Sequence, residues 1–217
     1  ILPVIEETLK DHKDLKFDAI AVTVGPGLVG SLLVGIETAR ALAMAWDLPV
    51  IPVNHVQAHP YANFVEQEGT DNKPPQFPLL SWVISGGHTD LYLMNSHDDI
   101  QRLGGTVDDA AGECFDKCAR VLGFDYPGGP FIEKLAAKGN EMVTVGNISL
   151  PRPLIHEKTF NMSFSGLKTA FLRSFNENKN SIVEKTLKAQ LATQLQEAIS
   201  DIIVKRTQQA LEQYPQI

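Results

Sequence analysis

Two apolar, β-rich runs, each followed by a helical segment, constrain the fold of this chain most strongly. The first run, 17–24, ends in Gly25-Pro26-Gly27, and residues 28–46 then carry small and apolar side chains at helical spacing. The second run, 48–53, leads into a predicted helix over 54–68. Because strands that alternate with helices usually pair in parallel, this order predicts an α/β fold with a parallel sheet flanked by helices.

The pattern changes after a linker-like stretch at 69–78, which contains Thr70-Asp71-Asn72-Lys73-Pro74-Pro75. We place a domain boundary there, between residues 74 and 75. Beyond it the pattern predicts three strands, at 79–84, 89–94 and about 100–103. Four helices are predicted after them, at 107–122, 131–138, 163–175 and 182–213. The first two strands are separated only by Ser85-Gly86-Gly87-His88, a spacing typical of a hairpin.

Composition narrows the functional classes. No window of about 18 apolar residues is found, so we expect no membrane span. The net charge of −7 gives no general basic footprint, so a nucleic-acid substrate would require a local basic patch or a partner protein. Cys114 and Cys118 lie four residues apart in a predicted helix, a poor spacing for a disulfide, which indicates reduced thiols and a cytoplasmic protein.

A histidine pair follows the second predicted strand. Asn54 is a good helix N-cap residue, and the i, i+4 spacing of His55 and His59 places both imidazoles on one helical face. Two neutral imidazoles so placed can hold one metal ion. The alternative is that the pair caps and packs the helix start, and Pro60 could shift the helix onset.

Glycine turns are the second group of candidates. In Ser85-Gly86-Gly87-His88, two glycines would let the backbone approach a phosphate closely, while the Ser85 and His88 side chains offer donors. The alternative is a plain hairpin turn. Gly25-Pro26-Gly27 could likewise present N–H groups to an anion, or only reverse the chain.

Carboxylates are dense at the start of the helix predicted at 107–122. Asp108 or Asp109 could cap that helix. Glu113 and Asp116 lie three residues apart on one face, where they could accept hydrogen bonds from a ribose or bind magnesium, or simply face solvent. Gly128-Gly129 could allow the approach of a planar base, or merely turn the chain.

The segment around Ser163-Phe164-Ser165-Gly166-Leu167-Lys168 contains no Gly-x-Ser-x-Gly nucleophile motif, so we expect Ser163 or Ser165 to cap the next helix. Its surroundings are locally basic and form the best candidate for contact with a polyanion. The basic residues concerned are Arg152, Lys158, Lys168 and Arg173.

Six motifs in this order resemble the tRNA N6-adenosine threonylcarbamoyltransferase (TsaD) family, in its bacterial type, over essentially the whole chain. They are Gly25-Pro26-Gly27-Leu28, His55-x-x-x-His59, Ser85-Gly86-Gly87-His88-Thr89, the run from Asp108 to Lys117, Asp125-Tyr126-Pro127-Gly128-Gly129-Pro130, and Ser163-Phe164-Ser165-Gly166-Leu167-Lys168. The resemblance implies a duplicated actin-like ATPase fold of the sugar kinase and Hsp70 type, with mixed and parallel sheets flanked by helices. Residues 1–74 would be the remainder of the first subdomain, and 75–217 the second, with a helical insertion at about 123–180.

The resemblance also implies an activity and a site. Members transfer threonylcarbamoyl from threonylcarbamoyl-AMP to N6 of adenosine 37 in tRNAs that read ANN codons. His55 and His59 would be ligands of one divalent metal, Fe²⁺ or Zn²⁺, and a third ligand, an aspartate, is expected beyond Ile217. Substrate would contact residues of two groups: Val83, Ile84, Ser85, Gly86, Gly87 and His88 in one, and Asp116, Gly129 and Glu133 in the other. Many members carry an aspartate in place of Glu133.

Because the chain lacks an initiator Met and the expected aspartate, we expect a fragment without either terminus that is inactive alone. The implied partners are tRNA and TsaB-like and TsaE-like proteins, with no membrane. Alternatives of the same fold are a non-catalytic TsaB-like scaffold, in which we would not expect the histidine pair, and an ATPase or kinase. A metalloprotease is disfavoured because Val56 follows His55, where zincins carry a glutamate.

Overall fold

The computed structural model of the chain describes residues 1–11, 15–65, 73–139 and 148–217. Within these ranges the chain divides into two compact units, Ile1–Pro74 and Pro75–Ile217. Each is described by itself. Most of the predicted linker stretch that precedes residue 73 lies outside the described residues, as does the end of the helix predicted at 54–68.

The first unit contains a two-stranded parallel sheet, which confirms the parallel pairing predicted from the alternation of strands and helices. Strand β1 pairs with β2 in the register Ile20↔Val50 and Thr23↔Val53. The elements of this unit are α1 (Leu2–Leu9), β1 (Ile20–Gly25), α2 (Val29–Trp46), β2 (Val50–Asn54) and α3 (His55–Ala58). Helix α3 therefore begins directly at the end of β2, and its first residue is one of the two candidate metal ligands.

The helix predicted at 54–68 is shorter than expected. One α-helical turn, α3, continues as a 3₁₀ helix over His59–Phe64. Pro60 lies in the first turn of that 3₁₀ helix, and a proline there has no N–H to donate to the preceding turn. The proline thus changes the helix type after His59 without moving the helix start at His55.

Helix α2 contradicts the prediction that the chain contains no apolar segment of membrane-spanning length. Its 18 residues, Val29–Trp46, are long and apolar enough by length and composition to cross a membrane, which is weak evidence because core helices of soluble proteins pass the same test. In the structure α2 packs against β1, where a Cβ built on Gly35 would lie 3.7 Å from Val22 Cγ2. Its Glu37 and Arg40 form an exposed ion pair at 2.9 Å.

In its described residues, 75–139 and 148–217, the second unit contains a three-stranded antiparallel sheet, with strand order β3-β4-β5, and four helices. The hairpin predicted at 79–94 is confirmed, with Leu79 opposite Met94 and Ile84 opposite Thr89. The elements are β3 (Leu79–Ile84), β4 (Thr89–Met94), β5 (Ile100–Gly105), α4 (Ala111–Val121), α5 (Gly129–Gly139), α6 (Ser165–Asn178) and α7 (Glu184–Gln213).

The core of this unit lies among the four helices. Its fully buried side chains include Ile132 of α5, Phe171 of α6 and Leu195 of α7. Cys114 and Cys118 of α4 belong to the same core and are free thiols, as predicted. The sheet is tied to α7 by Trp82, whose Nε1 donates to Thr207 Oγ1 at 3.0 Å. These contacts fix α4, which carries several candidate site residues.

Helix α4 begins at Ala111, four residues later than predicted. The residues before it form a bent loop in which Thr106 Oγ1 donates to the carbonyl of Asp109 at 2.5 Å. Asp108 caps a different helix, α6, instead of its own. Asp108 and Asp109, which predicted an early helix start, instead lie in a loop, and Asp108 makes a tertiary contact with the start of α6.

Candidate functional site

The histidine pair of the first unit is held at the start of α3. Asn54 Oδ1 accepts hydrogen bonds from the N–H groups of Val56 and Gln57 at 2.9 and 3.1 Å, so the predicted N-cap is confirmed. The two imidazole Nε2 atoms of His55 and His59 lie 3.3 Å apart, and their rings meet edge to face. Capping therefore fixes a one-turn spacing that brings the two nitrogens together.

This geometry fits two ligands of one metal ion. Two nitrogens bound to one tetrahedral Zn²⁺ at about 2.0–2.1 Å are about 3.3 Å apart, which matches the separation of the two Nε2 atoms. Among the described residues no group of three or more His, Cys, Asp or Glu side chains could hold a metal. The pair can thus supply two ligands, and any further ligand must come from elsewhere.

The turn between β3 and β4 is organised by Ser85. Its N–H donates to the carbonyl of His88 at 2.8 Å, which closes the turn. Its Oγ accepts hydrogen bonds from the N–H groups of Gly87 and His88 at 3.3 and 3.0 Å. A serine at the first position thus fixes the backbone of Gly87 and His88 in the turn.

The other side of this turn is covered by the first residues of α4. Gly112 donates its N–H to the carbonyl of Ser85 at 3.2 Å. A Cβ built on Gly112 would lie 2.6 Å from that carbonyl oxygen and 2.8 Å from Cα of Gly86. Nearby, the buried Thr89 Oγ1 accepts from the N–H of Ala111 at 2.9 Å. Only glycine permits α4 to approach the turn this closely.

The outer face of the turn is open. A Cβ built on Gly86 or Gly87 would meet no atom within 4 Å, and neither residue has a positive φ. Their lack of side chains is therefore required neither by packing nor by backbone conformation. The turn can accept a ligand that approaches its backbone closely, which is one of the two interpretations that the sequence left open.

The remaining turn residues differ in exposure. Val83 is buried, with 4% of its surface exposed, whereas Ile84 is 48% exposed. Ser85 and His88 are partly buried and Gly86 and Gly87 exposed. Val83 therefore offers a ligand little surface, whereas the others can present side-chain or backbone atoms.

A second candidate surface lies one helical turn further along α4. Asp116 Oδ1 accepts from the N–H of Gly128 at 2.7 Å, which joins α4 to the start of α5. A Cβ on Gly128 would lie 2.5 Å from Ala119 Cβ, whereas one on Gly129 would meet nothing within 4 Å. Glu133 is exposed one turn beyond Gly129 on α5. Helix α4 thus carries both Gly112, which packs against the β3–β4 turn, and Asp116, which binds the backbone at the start of α5.

Asp108 has a role that the sequence did not predict. Its carboxylate accepts hydrogen bonds from the hydroxyls of Ser163 and Ser165 at 2.5 and 2.8 Å. It also accepts from the N–H groups of Phe164 and Ser165 at 2.8 and 3.2 Å. Burial raises the pKa of this carboxyl, but the four hydrogen bonds outweigh burial and lower the pKa to about 2.

Asp108 therefore occupies the N-terminus of α6, where an anion would otherwise be favoured. The expectation that Ser163 or Ser165 caps α6 is wrong, because both hydroxyls donate to Asp108 instead of accepting from the helix. Asp108 and Ser163 are 55 residues apart in the sequence. The sequence showed an excess of acids and a pair of serines, but nothing in it indicated that they meet.

The other acids at the start of α4 are paired with one cation. Lys117 Nζ lies 2.6 Å from Asp109 Oδ1 and 3.0 Å from Glu113 Oε1. These hydrogen bonds raise the pKa of Lys117. Glu113 and Asp116, which the sequence grouped on one face, thus have separate partners in the structure, a lysine and the Gly128 N–H.

These features define a class of protein. The second unit combines a sheet and helices, and it carries an open glycine turn between β3 and β4 and a second open glycine, Gly129, at the start of α5. Both of its cysteines are buried. Because the outer face of the turn is open, the fold and the turn define an α/β protein that can receive a ligand against the backbone of this hairpin.

Comparison with known proteins identifies the family. The sequence profile of TsaD, tRNA N6-adenosine threonylcarbamoyltransferase, matches residues 1–216. Proteins of that name from Symbiobacterium thermophilum, Thermomicrobium roseum and Bacillus subtilis are 47%, 42% and 42% identical to this chain and cover 98%, 99% and 97% of it. The chain belongs to the TsaD family, whose fold is the actin-like ATPase fold.

The chain spans about three fifths of the length of these curated relatives, with 59%, 63% and 58% of each relative aligned. All the site residues predicted in the second unit lie on the β3–β4 hairpin, α4 and α5. The histidine pair belongs to the first unit.

Proposed function

We propose that the intact gene product transfers the threonylcarbamoyl group of threonylcarbamoyl-AMP to N6 of adenosine 37 in tRNAs that read ANN codons. The observation that carries this proposal is membership of the TsaD family over residues 1–216. The two units would belong to the two subdomains of an actin-like fold, 1–74 to the first and 75–217 to the second. The protein would act in the cytoplasm, with TsaB-like and TsaE-like partners.

The acyl donor would bind at the open glycine surfaces. The phosphate and threonylcarbamoyl part would lie against the turn of Ser85, Gly86, Gly87 and His88, with the backbone of Val83 and the side chain of Ile84 beside it. Open space at both glycines supports this assignment. The nucleoside part would contact Asp116, Gly129 and Glu133. The carboxylate of Asp116 already accepts one N–H and has the capacity to accept a ribose hydroxyl as well.

The histidine pair would supply two ligands to a divalent metal, Fe²⁺ or Zn²⁺, and an aspartate outside this chain would supply a third. The separation of the Nε2 atoms supports shared ligation. When bound, the metal would supply the positive charge of a Lewis acid. His55 and His59 would hold that charge in a fixed position, because Asn54 fixes the helical turn on which both lie.

The reaction needs no protein nucleophile. The donor is a mixed anhydride, so the N6 amine of adenosine can attack the carbamoyl carbon directly. The bond from that carbon to the phosphate oxygen breaks, AMP leaves with its electron pair, and the attacking nitrogen loses one proton. The candidate nucleophiles of the chain are otherwise engaged. Cys114 and Cys118 are buried, and the hydrogen bond with Cys114 together with burial raises the pKa of Cys118. The hydroxyls of Ser163 and Ser165 donate to Asp108.

Mass spectrometry of tRNA nucleosides tests this function. Depletion of the intact gene should remove threonylcarbamoyladenosine from tRNAs that read ANN codons, and re-expression of the intact gene should restore it. Re-expression of a His55→Ala, His59→Ala variant should not restore it. Unchanged modification after verified depletion would contradict the proposal.

A further inference from the structure

A cleft in the second unit lies outside both glycine surfaces. It has a volume of about 450 Å³ and runs between α7 and the segment that precedes α6. Its lining residues come from these two elements: Lys158, Thr159 and Phe160 from the segment, and Lys205, Gln209, Glu212 and Gln213 from α7. The proposed transfer reaction uses none of them.

The segment 154–162 is held rigidly at this cleft. The buried guanidinium of Arg206 donates to the carbonyl groups of Leu154, Glu157 and Asn161, the last two at 3.1 and 3.0 Å. Leu154 adopts a left-handed φ of 59°, a conformation that is unfavourable for a non-glycine residue and persists only where its surroundings fix it.

The other side of the same segment is fixed to the sheet. Met162 donates its N–H to the carbonyl of Gly105 at 3.0 Å and accepts from the N–H of Val107 at 2.9 Å. A Cβ on Gly104 would lie 2.6 Å from the backbone of Phe160, so β5 and this segment are in close contact. The cleft wall is therefore preorganised, and binding there would require little ordering of the protein.

The charges of the cleft favour an anion. Of the basic residues around α6, Arg152 is paired with Asp201 at 2.8 Å and Arg173 with Glu177 at 4.0 Å. Neither Lys158 nor Lys205 forms an ion pair with any residue in the described part of the chain.

The cleft also contains one acid, Glu212, which is seven residues beyond Lys205 on α7, about 10 Å along the helix axis. Neither lysine forms an ion pair with this carboxylate, in a protein whose overall charge is −7. An acidic protein that acts on a polyanion needs such local cationic sites.

We propose that this cleft binds the phosphate backbone of the tRNA substrate, with Lys158 and Lys205 each contacting a phosphate and Phe160 offering its ring to an adjoining base. Cationic side chains next to an aromatic ring are the groups that hold an RNA strand without reading its sequence. This inference rests on the proposed function, because that function makes tRNA the substrate. It assigns RNA contacts to residues away from the glycine surfaces.

Binding of an unmodified tRNA transcript to the intact protein, measured over a range of salt concentrations, tests the inference. Each lost phosphate contact should reduce the slope of log Kd against log salt concentration by about 0.7 to 0.9. A Lys158→Ala, Lys205→Ala variant should therefore lose about 1.5 from this slope and bind about tenfold more weakly or worse at low salt. It should raise the KM for tRNA and leave kcat unchanged.

Lys185→Ala is the matched control, since Lys185 is exposed on the same helix, about 30 Å away by helical rise, and outside the cleft. This control should keep the slope of the unchanged protein. Glu212→Gln should bind tRNA as tightly or more tightly. Thermal unfolding of each variant checks folding, and Lys205→Gln, which keeps much of the side-chain length, replaces Lys205→Ala if that variant is unstable.

The outcomes separate the two proposals. If the unchanged protein forms threonylcarbamoyladenosine while the double variant binds tRNA with unchanged slope and affinity, the cleft inference is overturned and the proposed function stands. If the unchanged protein with its partners forms no threonylcarbamoyladenosine, the proposed function fails. A selective loss of slope and affinity in the double variant would still support RNA binding at the cleft.

Discussion

The β3–β4 turn and the first turn of α4 lie against each other in the second unit, yet their glycines serve opposite purposes. Gly112, the second residue of α4, is enclosed, and a Cβ there would meet backbone atoms at 2.6 and 2.8 Å. Gly86 and Gly87 in the β3–β4 turn face open space. The start of α4 is filled by contacts within the protein, while the turn leaves room that the protein itself does not fill. Glycines at a site of this kind can thus be separated into structural and ligand-facing ones.

The largest expected effect on stability comes from adding a side chain at the enclosed glycine, Gly112. Gly112→Ala would place a methyl group against the backbone of Ser85 and Gly86, which cannot move aside as a flexible side chain would. We expect the free energy of unfolding to fall by about 3 kcal/mol, at the upper end of overpacking effects. Denaturant-induced unfolding followed by tryptophan fluorescence measures this change. A loss below about 1 kcal/mol would show that α4 can move away from the turn at little cost.

A smaller effect on stability is expected from Asp108, whose carboxylate anchors the loop between β5 and α4 to the start of α6. Because the pKa of Asp108 is about 2 in the folded protein and 3.8 ordinarily, its stabilisation is present above about pH 4 and is lost as the pH falls through 2. Asp108 is largely exposed, so after allowance for solvent screening the effect is about 1 kcal/mol.

Asp108→Asn should lower stability at pH 7 by that amount and flatten the part of the stability curve between pH 4 and 2. Unfolding measured at a series of pH values in this interval makes the comparison, with Asp98→Asn, at an exposed acid outside the loop, as control. Equal slopes for Asp108→Asn and the unchanged protein would refute the proposed anchoring.

The smallest effect on stability is expected at the open glycines of the β3–β4 turn. Gly86→Ala adds a methyl group to open space at a residue without positive φ, so the free energy of unfolding should stay within about 1 kcal/mol or rise slightly. Affinity for the acyl-adenylate should nevertheless fall, because the methyl group would occupy the space next to the backbone. Calorimetric titration of the intact protein measures affinity. Normal affinity in a normally stable variant would argue against ligand binding at Gly86.

The parts of the fold that follow from local patterns could be predicted from the sequence. Strands β3 and β4 have the predicted bounds because apolar runs flank a glycine turn of fixed length. The one-turn spacing of His55 and His59 follows from the N-cap at Asn54. Nothing local indicates the contact of Asp108 with Ser163 across 55 residues, or that Gly112 lies under the turn. Such contacts depend on how distant elements pack, which one sequence does not reveal.

Amide hydrogen exchange of the intact protein, with and without a non-hydrolysable analogue of threonylcarbamoyl-AMP, tests the assignment of the open glycines most directly. We expect slower exchange at Gly86, Gly87 and Gly129 when the analogue is bound, and unchanged exchange at the enclosed Gly104 and Gly105 of β5. Binding of the analogue without any slowing at the turn would show that this turn does not receive the substrate.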